Sequence, residues 1–327
     1  MLHKRRNYRR LRQAIEIHEP IIGRYPLNVQ IQTTSLCNGK CRFCGYLGSW
    51  NQKNPGRMSW EIYEKIIQNL KKFRIGKFYP YGANEPLLDK EIFYKIRYAV
   101  ENLSPECVEL STNLSILSRG TLDEIKELFP RIKHKIVVSF HGISQDSYED
   151  QMGLDYNISL KNVLSLVELS QEAPLKIMIH GTSSARRSFS KLKVWFGADE
   201  YFKFWGEKLS LFKMKPGISY FDYYNLAGMP QLRNQGEFYN KIFRSKLKKF
   251  YCSWFDRYIF FNYTGEPLLC CMDYIKETGF GEGIEEKTIE ELYSSPRYTQ
   301  MIRKGIGLID SENDFICKRC SDPFEQE

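Results

Sequence analysis

Strand-like and helix-like runs alternate about six times between residues 27 and 214, and this order narrows the fold more than any other feature of the 327-residue chain. "LNVQIQT" (27–33), "KFYPYG" (77–82), "CVELST" (107–112), "KIVVSFHG" (135–142), "LKIMIHG" (175–181) and "KLSLFKM" (208–214) read as strands. "SWEIYEKIIQNLKKF" (59–73) has apolar residues at helical spacing behind Ser59, a suitable N-cap. "DKEIFYKIRYAVENL" (89–103) reads as a second helix starting at Asp89, with further helical stretches near 121–129, 157–170 and 189–206. Such alternation predicts a parallel sheet with helices packed outside it. The expected fold class is therefore α/β, a partial (β/α)6 TIM-like barrel, with function gathered in the loops at the C-terminal ends of the strands.

The pattern changes after about residue 215. "PGISYFDYYNLAGMPQLRNQGEF" has no helical period, and "RYIFFNYTGEPLLCC" (257–271) reads as a β-hairpin turning at "TGEP". Helices are expected near 288–294 and 296–304, before a terminal "CKRC". The expected divisions are a basic lead-in (1–26), the partial barrel (27–235) and a small α+β domain bearing the C-terminal cysteines (236–327). With 42% hydrophobic and 14% aromatic residues the chain can bury a packed core.

The net charge is +9, part of it in the N-terminal run "HKRRNYRRLR". That run reads as a solvated or helical tail, or as a contact for an acidic partner, and no nucleic-acid recognition motif accompanies it. No stretch has the length and apolarity of a membrane span, and no apolar segment follows the basic N-terminus as in a secretory signal. A cytoplasmic location is expected, where nine cysteines are thiols rather than disulfides.

Those cysteines fall into two sets. "SLCNGKCRFCGY" places Cys37, Cys41 and Cys44 in one loop after the first strand, with no fourth cysteine nearby. Structural zinc wants four protein ligands, and catalytic zinc usually takes His or carboxylate, which this loop lacks. A cubane [4Fe–4S] cluster held by three cysteines leaves one iron open to a ligand that is not protein. The second set is Cys252, Cys270, Cys317 and Cys320, whose spacing alone does not separate zinc from an iron–sulfur cluster.

"CNGKCRFC" resembles the Cys-x3-Cys-x2-Cys motif of the radical S-adenosylmethionine (SAM) enzymes, with Phe43 as the aromatic residue before the last cysteine. The resemblance implies that SAM chelates the open iron and is cleaved to a 5′-deoxyadenosyl radical. "YGANEP" (81–86) is similar to the family's Gly-Gly-Glu-Pro element for the SAM amino group, with Ala83 and Asn84 replacing the glycines and Glu85 supplying an acceptor. By the same resemblance Ser111, Asn113 and Ser139 are candidates for the SAM ribose and carboxylate. His141 is a candidate base at the active-site opening.

The C-terminal cysteines resemble the SPASM/twitch domains of radical SAM enzymes. The full SPASM form carries more cysteines, for two auxiliary clusters; this chain has enough for one. That implies the shorter twitch arrangement, similar to that of aminocyclitol dehydrogenases. A fully ligated auxiliary [4Fe–4S] cluster suits an electron acceptor, and net oxidation of an alcohol is the natural reaction for this layout. Cys270 is chosen over Cys271 as ligand on spacing, because neighbours on a strand face opposite ways. Cys271 is then a candidate hydrogen-atom donor, which would give epimerisation.

Few residues precede the first strand, so a small sugar or aminocyclitol substrate is favoured over a peptide. Arg233, Asp222 and Asp273 are candidates for contacting its hydroxyls or removing a proton. A basic balance suits a phosphorylated or nucleotide-linked sugar. An external electron donor such as flavodoxin or ferredoxin is implied. The rival readings are a peptide- or protein-modifying radical enzyme and a non-catalytic metal-binding partner protein.

Overall fold

The computed structural model describes residues 2–17, 19–183, 185–187, 192–221, 252, 254–312 and 314–320. Its centre is an eight-stranded sheet in the order β10-β9-β1-β2-β3-β4-β5-β8. Strands β1 (Leu27–Ile31), β2 (Ile75–Tyr79), β3 (Cys107–Thr112), β4 (His134–Ser139), β5 (Ile177–Gly181) and β8 (Gly217–Tyr220) pair in parallel, as the alternation predicts.

Successive strand residues face opposite sides of a sheet. Val29, Val108, Leu110, Ile136, Val138 and Ile179 point into the helix-packed core with Ile66, Ile96, Ile125 and Leu166. The helices behind that face are α3 (Trp60–Leu70), α4 (Ile92–Leu103), α5 (Arg119–Leu128) and α7 (Tyr156–Glu172). Asn28, Gln30, Lys77, Glu109, Ser111, Lys135, Ser139 and His180 alternate with the core positions, are less buried, and line the inner face.

Side-chain caps set where these helices begin. Ser59, Ser118 and Asp155 each accept the backbone N–H three residues on. Helix α4 starts at Ile92 rather than at Asp89, because Pro86–Leu88 forms a 3-10 turn and Asp89 closes it. Asp89 then meets Lys95 in a buried ion pair, Oδ2 to Nζ 2.8 Å.

Two expectations fail between β5 and β8. The stretch near 189–206 holds the second strand of a small antiparallel hairpin, β6 (Ala185–Arg187) and β7 (Leu192–Val194), and then α8 (Ala198–Lys208). The strand expected at 208–214 is a turn, and the sixth parallel strand lies at Gly217–Tyr220. Leu209 is buried at the end of α8 while Leu211 is 95% exposed, so the apolar run does not mark a buried strand face. Helix α6 (Gln145–Met152) was not expected and packs against α7. The lead-in is helical, α1 (Leu2–Glu16), and a short α2 (Trp50–Lys53) follows the cysteine loop.

The C-terminal hairpin turns where expected, with β9 (Tyr258–Phe261) antiparallel to β10 (Pro267–Leu268). It does not stand apart: β9 also runs parallel to β1 and extends the main sheet. Gly265 in its turn has φ +79, and a Cβ there would meet Ile62 at 2.7 Å. Helices Ile289–Tyr293 and Pro296–Gly305 follow, and Ile316–Arg319 carries Cys317. No described helix is long and apolar enough to cross a membrane.

Candidate active site at the open ends of the parallel strands

The loop after β1 leaves the sheet at its C-terminal end and is pinned from three sides. Lys40 and Arg42 donate backbone N–H groups to the carbonyls of Met152 and Gln151, at 2.8 and 2.9 Å. Asn38 donates to Ser115 Oγ at 2.8 Å and accepts from Asn113 Nδ2 at 3.0 Å. The Tyr274 hydroxyl lies 4.0 Å from Cys44 Sγ, and a Cβ on Gly45 would sit 2.4 Å from the Tyr274 ring.

Cys37, Cys41 and Cys44 converge within this loop. The position of a Cβ on Gly39 lies 3.4 Å from Cys41 Sγ and 3.7 Å from Cys37 Sγ, which places both sulfurs beside the same backbone turn. Burial pushes the Cys37 thiol up to about 12 and raises Cys41 and Cys44 as well, Cys41 further through its two neighbours. Three half-buried thiols gathered in one loop suit a polycationic centre, which drives deprotonation on binding. Among the described residues no three His, Cys, Asp or Glu side chains are close enough to hold a single metal ion.

The 81–86 turn lies directly against this loop, with the Glu85 N–H on the Leu36 carbonyl at 2.9 Å. The Glu85 carboxylate is buried and accepts from Thr112 Oγ1 (2.6 Å), Asn113 N (2.7 Å) and Leu87 N (3.1 Å). Burial raises its pKa to about 7 against these three bonds. Glu85 thus locks the turn to the end of β3, and at most one lone pair remains for another donor. Asn84 Oδ1 accepts from Gly82 N at 2.6 Å, whereas its Nδ2 is buried with no partner among the described residues. An orphaned amide donor beside the thiol loop fits an acceptor such as a carboxylate of a bound ligand. The Ala83 carbonyl is 3.5 Å from Asn51 Nδ2.

The other residues singled out for SAM divide in two. Ser111 and Ser139 sit on the inner face near the ends of β3 and β4. Asn113 is engaged with the protein itself: its Oδ1 accepts from Ser115 and its Nδ2 donates to Asn38. It ties β3 to the thiol loop.

The proton-removing candidates are placed differently from expectation. His141 is buried edge-on to Phe43, ring centroids 4.6 Å apart. Its Nδ1 accepts the Thr182 N–H at 3.1 Å, and burial lowers its pKa to about 3. The ring is neutral with its proton on Nε2, so it presents a donor and not a base. Asp273 accepts from Glu277 N, Thr278 N and Thr278 Oγ1 at 2.7–3.0 Å and closes its own turn. Arg233 and Asp222 lie outside the described residues.

The second thiol set assembles around Cys252. Its thiol is raised by burial and by the neighbouring Cys270, Cys317 and Cys320. Cys270 also accepts from Met272 N at 3.4 Å. Cys271 touches Cys270 but faces the barrel, lining a cavity with Gln30, Gln32, Gly82 and Ala83 and lying within electrostatic reach of Tyr81.

One inner-face group was not foreseen. Glu109, in the middle of β3, accepts from the Tyr81 hydroxyl at 3.3 Å and stands 3.7 Å from Lys135 Nζ. A charged residue inside "CVELST", in phase with Cys107 and Ser111, was the available signal.

Comparisons with known proteins agree with this architecture. A model of the radical SAM superfamily matches residues 31–183, and a model of an iron–sulfur cluster-binding domain, SPASM, matches residues 252–321. The structure of BtrN in complex with AdoMet and 2-DOIA is similar, with TM-score 0.58, 16% identity, and coverage of 92% of this chain and 95% of that one. SuiB from Streptococcus suis bound to its precursor peptide SuiA has TM-score 0.62, 15% identity, and coverage of 97% and 75%. anSMEcpe with AdoMet and the Cp18Cys peptide has TM-score 0.59, 17% identity, and coverage of 90% and 88%. A search of curated protein sequences finds no match.

Proposed function

Starting from a chain that belongs to the radical SAM superfamily and carries a C-terminal SPASM iron–sulfur domain, we propose that it oxidises an alcohol of a small sugar-like or aminocyclitol substrate to a ketone. These domains imply a [4Fe–4S] cluster with SAM and an auxiliary iron–sulfur centre. Cys37, Cys41 and Cys44 would hold the first, and Cys252, Cys270, Cys317 and Cys320 the second. When bound, they supply a 5′-deoxyadenosyl radical that takes a hydrogen atom from a substrate carbon, and an acceptor for the electron the substrate then loses.

The chain's own residues do the rest. Glu85, with Thr112 and Asn113, holds the 82–85 turn rigid beside the thiol loop. Asn84 Nδ2 offers a donor to the SAM carboxylate. His141 keeps a neutral ring against Phe43 and offers only Nε2–H. Oxidation of an alcohol also requires a proton acceptor for the hydroxyl hydrogen. Glu109, hydrogen-bonded to Tyr81 on the inner face, is the carboxylate in this reading that takes it. An external one-electron donor such as flavodoxin or ferredoxin completes the cycle.

The observation that carries the reading is the gathering of Cys270, Cys317 and Cys320 around Cys252, a four-thiol set distinct from the open three-thiol loop. End-to-end similarity to a structure holding AdoMet and 2-DOIA adds support for a small substrate. A second reading draws on Cys271, which lines the cavity with Gln30, Gln32, Gly82 and Ala83 and could return a hydrogen atom to the substrate, giving epimerisation. Similarity to SuiB with its precursor peptide keeps a peptide substrate in that second reading.

Anaerobic turnover in deuterated buffer with candidate aminocyclitols and sugars separates the two. The first reading expects a product two hydrogens lighter, one 5′-deoxyadenosine per product, and retained activity in Cys271→Ala. A product of unchanged oxidation level that carries solvent deuterium, lost in Cys271→Ala, would contradict it.

A further inference from the structure

The inner face of the sheet is charged in a way that the reading above leaves unused. Parallel pairing sets Lys77 beside Cys107 and Glu109 beside Lys135. Ile136 pairs with Ile177, so Lys176, one residue before β5, stands beside Lys135. The Cys107 thiol reports the convergence: Lys77, Lys176 and Lys135 lower its pKa, and Glu109 raises it, against the larger effect of burial. Three ammonium groups, on β2, on β4 and just before β5, therefore share one patch with a single carboxylate among the described residues.

The patch is open to a ligand. Lys77 and Lys176 are exposed, and the Lys135 side chain keeps 27% of its surface. Among the described residues, only Lys135 of the three has an acidic partner, Glu109 at 3.7 Å, longer than a hydrogen bond. Lys77 is four residues below Tyr81 along the same chain, about 13 Å at the rise of a strand. Lys77 thus lies two residues below the inner-face carboxylate, on the side away from the thiol loop and the 82–85 turn, while Lys135 and Lys176 lie level with it.

From this placement we infer that the substrate is anionic, a phosphate ester of a sugar or polyol. Its phosphate is held by Lys77, Lys135 and Lys176 beside Glu109, and its hydroxyls extend past Glu109 towards Tyr81. The inference rests on the proposed function for the site's identity and adds the substrate class. Ammonium groups bind phosphate as strong, geometry-tolerant donors. Glu109 sits beside that phosphate and opposes its binding, so its removal should strengthen anion binding, which a purely structural role would not produce.

The test is calorimetric titration of the cluster-reconstituted protein with inorganic pyrophosphate, with acetate at matched ionic strength as the carboxylate arm. One pyrophosphate site is expected, with about a hundredfold loss in Lys135→Gln/Lys176→Gln, about a tenfold gain in Glu109→Gln, and no change in Lys203→Gln on α8. Failure to bind pyrophosphate, equal binding of acetate, or affinities unmoved by these substitutions would each overturn the inference. The measurement needs no turnover, so it separates the two ideas. Protein that binds pyrophosphate at these lysines yet forms no 5′-deoxyadenosine refutes the proposed function alone, and the converse result refutes the substrate class alone.

Discussion

Replacing Lys95 with methionine tests how the turn beside the thiol loop is held. Lys95 and Asp89 keep only 1% and 2% of their side-chain surface, and Nζ meets Oδ2 at 2.8 Å. Asp89 Oδ1 also accepts from Glu91 N at 3.1 Å. Lys95→Met keeps the volume and leaves a buried carboxylate without its cation, a change that costs about 3–5 kcal/mol. Unfolding entropy near 2.1 cal/mol/K per residue gives about 0.7 kcal/mol/K for this chain, so the melting temperature should fall by about 4–7 °C. Lys95→Met/Asp89→Leu replaces the pair with apolar groups and should recover most of the loss. Asp89 closes the turn that begins at Glu85. Weaker SAM binding in Lys95→Met, restored in the double variant, is therefore also expected. Anaerobic calorimetry of reconstituted protein and equilibrium dialysis with SAM supply the readings. A melting temperature within 1 °C of wild type, or a double variant no better than the single, would refute the reasoning.

Other outcomes follow from single contacts. His141 is held neutral with a pKa near 3, so folded protein binds fewer protons than unfolded protein as pH falls below about 6.5. At about 1.4 kcal/mol per pH unit once the unfolded imidazole is fully protonated, stability should drop by about 2.3 kcal/mol between pH 6.5 and 4.5 from this group. His141→Leu should flatten that slope in urea titrations, and an unchanged slope would contradict the assignment. Gly45→Ala places a methyl 2.4 Å from the Tyr274 ring and must push it away from Cys44. A changed electron paramagnetic resonance signal of the reduced cluster is expected, and an identical spectrum would count against that contact. Thr112→Val removes the hydroxyl that donates to Glu85 and accepts from Leu114 N, and should cost about 1–3 kcal/mol in denaturant titrations.

Much of this architecture was readable from the chain. The helices expected near 59–73, 121–129 and 157–170 formed, the first at its expected cap Ser59, and five of the strands pair in the expected parallel order. Strand β8 was not readable, because Gly217–Tyr220 is half-buried throughout and carries no alternation. The pairing of β9 with β1 joins segments more than two hundred residues apart and leaves no local mark. In the site, cysteine spacing was informative because a loop of eight residues can gather three sulfurs. Acid–base roles were not, because they depend on which lone pairs the fold has already engaged. Asp273 closes a turn and His141 accepts from Thr182, while Glu109 reads in sequence as an ordinary polar strand position.

The most direct test of the central claim is the formation of 5′-deoxyadenosine by anaerobically reconstituted protein given SAM and dithionite. The account predicts about eight iron and eight sulfide per chain in the wild type, and about four of each in Cys41→Ala. It predicts 5′-deoxyadenosine from the wild type and from Cys317→Ala/Cys320→Ala, and none from Cys41→Ala. Zinc in place of iron, or 5′-deoxyadenosine formation that survives in Cys41→Ala, would contradict it.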